Sequence, residues 1–135
     1  MPAEPPSSED PPHVLLVDDD PVIMRLLEVN FGLEGFRVRT ATNGEDALER
    51  AAEERPDAVV LDVMMPGIDG WEVCVRMREQ PGLADVPVVL LSARGEDDDR
   101  SRDYALGHVE YVTKPFDPAE LIAVVRRHLA AGEPA

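Results

Sequence analysis

Four short runs in this chain each stop on a polar residue of a kind that core strands seldom carry, and this limits the possible folds more than any other feature. Residues 14–17 stop on Asp18 and Asp19, 59–61 on Asp62, 86–91 on Ser92, and 111–113 on Lys114. The runs are almost continuously apolar instead of alternating, as strands are when both faces of their sheet are covered. After Asp62, Met65-Pro66-Gly67 forces a turn before Asp69 can cap a helix. A carboxylate at the mouth of a sheet is costly to bury unless something positive meets it, so Asp62 reads as part of a site.

Helix signals fill the gaps between the runs. Asp20 is an N-cap with Pro21 at the first helical position, and the helix it opens runs to about residue 31, where Gly32 and Gly35 break it. Residues 36–41 read as a further strand, and Asn43 caps a helix through 55 with Ala47, Leu48 and Ala51 as its apolar stripe. The helix after Asp69 carries Trp71, Val73, Cys74 and Met77 toward a core and ends at Pro81-Gly82. An acidic run at 96–99 opens a short helix over about 98–106 that Gly107 caps. Asp117-Pro118-Ala119-Glu120 has the form of a capping box, starting a last helix through 128 with Leu121, Val124, Val125 and Leu129 inward.

Five strands alternating with five helices make a doubly wound α/β fold, a parallel sheet with helices on both faces. In such sheets ligands sit outside the carboxyl ends of the strands. Asp18, Asp19, Asp62, Ser92 and Lys114 all leave those ends, so four strands bring chemical groups to one rim.

Composition narrows the rest. The 135 residues hold no apolar stretch long enough to span a membrane, and they suffice for one domain with a proper core. We expect a disordered arm over 1–12, a folded domain over 13–130 and a flexible tail over 131–135. With 28 acids against 13 Lys and Arg, a net charge of -15 argues against direct nucleic-acid or membrane binding. Cys74 is the only cysteine, and the first residues lack the basic and apolar blocks of a signal peptide, so a cytoplasmic setting is expected. His13, His108 and His128 show no metal-ligand spacing.

Three carboxylates within a few ångströms repel one another, and a small hard cation with oxygen ligands relieves the repulsion. Mg²⁺ is the default. Asp19 and Asp62 suit direct ligation, with Asp18 acting through water and the Met64 carbonyl completing the protein's share. Without metal, at least one of the acids should have a raised pKa. Lys114 and the Ser92 hydroxyl opposite a metal-bound carboxylate suit a phosphoryl group, each taking one of its oxygens. Asp62 would then be the nucleophile of an acyl phosphate.

Leu15-Leu16-Val17-Asp18-Asp19, the stretch from Leu61 to Gly70, Leu91-Ser92-Ala93-Arg94 and Tyr111-Val112-Thr113-Lys114-Pro115-Phe116 together resemble the CheY-like receiver domain of two-component response regulators. The resemblance covers 13–130. It implies a flavodoxin-like strand order 2-1-3-4-5, phosphorylation of Asp62 by a histidine kinase or histidine phosphotransfer protein, and Mg²⁺ on Asp18 and Asp19. It further implies phosphate contact by Lys114 and a switch pair of Ser92 and Tyr111. Gly107-His108-Val109-Glu110 departs from the usual loop before the last strand. Lys114-Pro115 is expected to be cis, because the chain must turn sharply while keeping the ammonium on the site, and the resemblance implies the same.

The resemblance leaves no room for a second domain, so a stand-alone receiver that signals through contacts with a protein target is expected. Such a chain is a phosphoacceptor, not an enzyme in the usual sense, catalysing only its own phosphorylation and slow dephosphorylation. A competing reading takes Asp18-Asp19-Asp20-Pro21-Val22 as the D-x-D-x-[TV] motif of a haloacid-dehalogenase-like phosphatase with Asp18 as nucleophile. That reading leaves Asp62 and its Pro-Gly turn without a role.

Overall fold

The computed structural model describes residues 11–93 and 109–132. Its strands are β1 (His13–Val17), β2 (Arg37–Ala41), β3 (Ala58–Asp62), β4 (Val88–Ala93) and β5 (Val109–Lys114). All pairings are parallel and the order is β2-β1-β3-β4-β5, the flavodoxin-like arrangement expected from the sequence. Four α-helices lie among the described residues: α1 (Pro21–Leu33), α2 (Gly44–Glu53), α3 (Gly70–Arg78) and α4 (Pro118–Gly132). The fifth expected helix, with Arg94, the acidic run, Gly107 and His108, lies outside the described residues, as do residues 1–10 and 133–135.

Both faces of the sheet are covered, which explains the uninterrupted apolar runs. Leu15, Val17, Val59, Leu61, Val88 and Leu90 face one cluster with Trp71, Val73, Cys74 and Met77 of α3. Val14, Leu16, Val60, Val89 and Leu91 face the other, with Met24, Leu27 and Phe31 of α1 and Leu121 and Val125 of α4. Period-two alternation of side chains sorts the residues between the faces. Burying a large aliphatic side chain in either layer is worth roughly 1.5–3 kcal/mol.

Several boundaries differ from the sequence expectation, each for a local reason. Helix α1 runs through Gly32 to Leu33, and the chain turns only at Gly35, whose φ of +89° suits a residue without a side chain. Phe36 stands before β2: its N–H donates to the Phe31 carbonyl (3.0 Å) in the turn after α1, and its ring packs edge-on against Phe31, centroids 4.9 Å apart. Helix α2 stops at Glu53, where Glu54 turns extended, two residues before the expected end. Helix α3 ends at Arg78, and Pro81–Leu83 forms a separate 3₁₀ turn instead of the helix stop. Strand β4 starts at Val88, two residues late, while the Pro87 carbonyl accepts from Val59 N–H (3.0 Å).

The ends of the domain also shift. Pro12, expected in the arm, already accepts from Arg37 N–H at 2.9 Å, and α4 continues to Gly132, into the expected tail. Val109 and Glu110, expected in a loop, belong to β5. At the start of α4, Asp117 accepts from Ala119 N–H (2.9 Å), the second helical residue, where a capping box would engage Glu120 N–H.

Candidate functional site

The parallel order brings the ends of β1 and β3 side by side, because β3 pairs directly with β1. Asp18 follows β1 and Asp62 ends β3, so two acids leave adjacent strands at the same level. Asp18 is fully buried and Asp62 only 6% exposed, whereas Asp19 is open to solvent. One carboxylate oxygen from each of Asp18, Asp19 and Asp62 can be chosen so that all three lie within 4.8 Å of one another.

Lys114, at the end of β5, reaches across β4 to this cluster. Its Nζ stands 3.2 Å from Asp62 Oδ2 and 3.4 Å from Asp18 Oδ2. The Lys114-Pro115 bond is cis, as expected. Around Asp18 and Asp62 the main chain also donates: Asp20 N–H to Asp18 Oδ1 (2.9 Å) and Met64 N–H to Asp62 Oδ1 (3.3 Å). The second bond folds the β3–α3 loop over Asp62, and the Met64 side chain stands out from the rim, 65% exposed.

Charge at this rim is not balanced. Burial raises the Asp62 pKa above its ordinary value and the Asp18 charge adds to the rise, while Lys114 and Met64 N–H offset only part of it. For Lys114, burial pulls the other way, but Asp62 and Asp18 outweigh it and hold the ammonium above its ordinary pKa. The one ammonium stands between two acids, whereas Asp62 has Asp18 as a like-charged neighbour. The raised carboxyl pKa expected of this cluster falls at Asp62.

Ser92 and Tyr111 are placed by register. Leu91 is the partner of Asp62, so Ser92 sits one residue beyond it on the neighbouring strand, almost wholly buried. Leu90 pairs with Tyr111 and Ser92 with Thr113, which puts Ser92 and Tyr111 on the same face of the sheet, the face covered by α3. The Tyr111 ring packs against Trp71, centroids 5.4 Å apart at 50°. The structure thus joins Asp18, Asp19, Asp62 and Lys114 directly, and sets Ser92 and Tyr111 along one face leading away from them.

Two contacts of β5, one at its amino end and one nearer the site, escape sequence reading. Glu110 of β5 accepts from Arg127 Nη2 (2.7 Å) and lies 2.6 Å from His128 Nε2, tying α4 to the sheet edge. Burial raises the Glu110 pKa, but its hydrogen bonds to His128 and Arg127 more than reverse this and leave it lowered. The Trp71–Tyr111 contact is the other. Partners 17 and 40 residues apart leave no short-range spacing to find them by.

The phosphatase reading needs the side chain of Asp20 free at the site. Instead Asp20 Oδ1 accepts from Val22 N–H (2.8 Å) and Ile23 N–H (3.4 Å), capping α1. Nothing favours that reading over the other.

Comparison with known proteins agrees with this geometry. Residues 14–126 match the model of the response regulator receiver domain family, and the chain belongs to that family. It is 40% identical over 123 residues to the phosphate regulon transcriptional regulatory protein PhoB of Rhizobium meliloti (strain 1021), covering 91% of this chain and 54% of that protein. Among solved structures, the chemotaxis response regulator CheY4 of Vibrio cholerae superposes with a TM-score of 0.81 at 29% identity, covering 87% of this chain and 98% of that one. The receiver domain of a sensor histidine kinase from Pseudomonas aeruginosa PAO1, with a magnesium ion coordinated in its active site cleft, gives 0.80 at 31% identity, covering 89% and 98%.

Receivers of this family are phosphoacceptors of two-component signalling and partner with histidine kinases. The chain spans about half the length of the curated relatives it matches, several of which are named as transcriptional regulators. Those relatives extend well beyond the matched region, so the similarity does not bear out the expectation of a stand-alone receiver with no nucleic-acid partner. Among the described residues, no helix is long and apolar enough to cross a membrane.

Proposed function

We propose that Asp62 accepts a phosphoryl group from a histidine kinase or histidine phosphotransfer protein in the cytoplasm, with residues 13–130 as the receiver unit. The observation that carries this is the pairing of Asp62 with Lys114 at 3.2 Å beside two further acids. Hard oxygen donors, packed this closely with one of them pushed toward protonation, fit a small divalent cation. Asp19, Asp62 and the Met64 carbonyl would hold Mg²⁺, with Asp18 acting through water. Mg²⁺, when bound, supplies positive charge to the phosphoryl oxygens and to the crowded acids.

In the reaction an Asp62 carboxylate oxygen forms a bond to phosphorus as the bond to the donor imidazole nitrogen breaks, and the electron pair leaves with the imidazole, which picks up a proton. Lys114 takes one phosphoryl oxygen and Ser92 O–H donates to another. Both groups come from the carboxyl ends of the neighbouring strands β4 and β5. Ser92 moving toward the phosphoryl group would free space on the α3 face, where Tyr111 follows it, shifting a two-state equilibrium. The signal would leave through β5, α4 and the segment 98–106 to a protein target.

The donor protein has a natural seat. Val22, Leu26, Val29 and Leu33 are exposed on α1 at 4-3-4 spacing, a stripe that begins two residues after Asp20 at the acidic rim. A donor helix lying along this stripe would have one end at the acidic rim.

Acetyl phosphate or beryllofluoride with Mg²⁺ should modify Asp62 and no other residue, read by peptide mapping. An adduct on Asp18 would instead support the phosphatase.

A further inference from the structure

Gly70 opens α3, and its N–H donates to the Val63 carbonyl at 2.8 Å, closing the loop that starts at Asp62. Among the described residues the glycines with positive φ are Gly35 and Gly67, so the backbone at Gly70 suits any residue. Space is what excludes a side chain. A Cβ on Gly70 would lie 2.6 Å from the Asp62 carbonyl oxygen, 2.9 Å from Val63 Cα and 3.2 Å from the Asp62 carbonyl carbon. All three are main-chain atoms, and none can swing aside as a side chain can.

Gly44 provides the contrast within the same molecule. It too is crowded, but its Cβ would meet Ile68 Cγ1 at 2.5 Å and Val73 Cγ2 at 2.7 Å, both side-chain atoms, and none of Asp62. Crowding at Gly44 fixes how α2 packs on α3. Crowding at Gly70 fixes where α3 rests on the residue that carries the reacting carboxylate.

We propose that Gly70 is a positioning residue for the acidic site: its missing side chain lets the start of α3 seat directly on the Asp62-Val63 main chain. This sets the Asp62 carboxylate against Asp18 and Asp19 and aims the Met64 carbonyl. The inference rests on the phosphoacceptor reading only for the phosphorylation arm of its test. Ordinary contact begins near 3.4 Å, so an added Cβ displaces the Asp62 carbonyl or α3 by about 0.8 Å. Mg²⁺ demands near-ideal octahedral geometry, and a misplacement on the order of 1 Å can slow a positioned reaction about a hundredfold.

The test compares Gly70→Ala with Gly44→Ala in three measurements: Mg²⁺ affinity by calorimetry, phosphorylation rate by acetyl phosphate at saturating Mg²⁺, and thermal stability. Both variants should lose stability. Only Gly70→Ala should weaken Mg²⁺ binding, by about tenfold, and slow phosphorylation by about as much. Mg²⁺ affinity equal to wild type in a folded Gly70→Ala protein would overturn the proposal, as would an equal loss of affinity in Gly44→Ala. Should Gly70→Ala fail to fold, Asp69→Ala takes its place. Asp69 Oδ1 caps α3 through Glu72 N–H (2.9 Å), so its loss loosens the same seat without adding bulk. A severalfold weaker Mg²⁺ affinity there supports the role, and an unchanged one overturns it. If acetyl phosphate fails to modify wild-type Asp62, the phosphoacceptor reading falls while the calorimetric comparison still decides the role of Gly70.

Discussion

At the carboxyl end of the sheet one ammonium stands between Asp18 and Asp62 with Asp19 beside them, whereas at the amino end the arginines of β2 pair with acids open to solvent. Arg37 bonds to Glu54, Arg39 bonds to Glu53 at 3.0 Å, and Asp57 accepts from the main chain of His13 at 2.7 Å. Glu54 is held below its ordinary pKa mainly by its hydrogen bond to Arg37, with burial opposing. Asp62 is pushed the other way. The same sheet thus ends in satisfied charge on one side and in unresolved charge on the other. The difference marks the end at which a ligand would restore balance.

The largest effect expected at the carboxyl end concerns how long it keeps a phosphoryl group. On the phosphoacceptor reading, hydrolysis needs water in line with phosphorus, and the residues two past Asp62 and two past Ser92 are expected to govern its access. Met64 stands exposed at the rim and cannot orient water, and Arg94, outside the described residues, is cationic and no base. A lifetime of minutes or more follows. Met64→Asn with Arg94→Glu should shorten it about tenfold, roughly 1.4 kcal/mol of barrier, measured as decay after donor removal. Equal rates would separate lifetime from these side chains.

A smaller effect tests the amino end. His13 is buried, and burial lowers its pKa, against the Arg55 carbonyl and Glu54, which favour the charged form, and with Arg37 and Arg39, which oppose it. Because the folded protein holds His13 neutral below the ordinary 6.5, the unfolded chain takes up the proton first as pH falls. Stability contributed by neutral His13 is therefore present above pH 6.5 and is lost between 6.5 and its lowered folded value. Denaturant unfolding from pH 7.5 to 5 should show this decline, and His13→Gln should flatten it. Substituting Glu54→Gln, on the solvent side, should change stability little at neutral pH.

Much of this was legible beforehand because it rests on local pattern. Continuous apolar runs announced a parallel sheet covered on both sides, and the residues that ended them, Asp18, Asp62, Ser92 and Lys114, came to one rim because parallel strands share a direction. Asn43, Asp20 and Asp69 cap the helices expected of them. What escaped depends on contacts distant in sequence. Phe36 packs on Phe31 before β2 begins, Glu110 anchors α4 through Arg127 and His128, and Gly70 is crowded by a carbonyl eight residues earlier. No spacing rule reports those distances.

The central claim, that the acidic rim is strained until a cation and a phosphoryl group complete it, is tested most directly by equilibrium unfolding of wild type and Asp62→Asn at pH 7 with and without Mg²⁺. A raised folded pKa means that the fold favours protonated Asp62, so this stabilising contribution is present below pH 3.8 and lost as pH rises through the folded value. Above that value the ionised acid is a burden that Asn lacks. The account predicts that Asp62→Asn is the more stable protein without Mg²⁺, by a few degrees of melting temperature, and that Mg²⁺ stabilises wild type much more than the variant. A less stable Asp62→Asn protein without metal, or the same gain from Mg²⁺ in both, would contradict it.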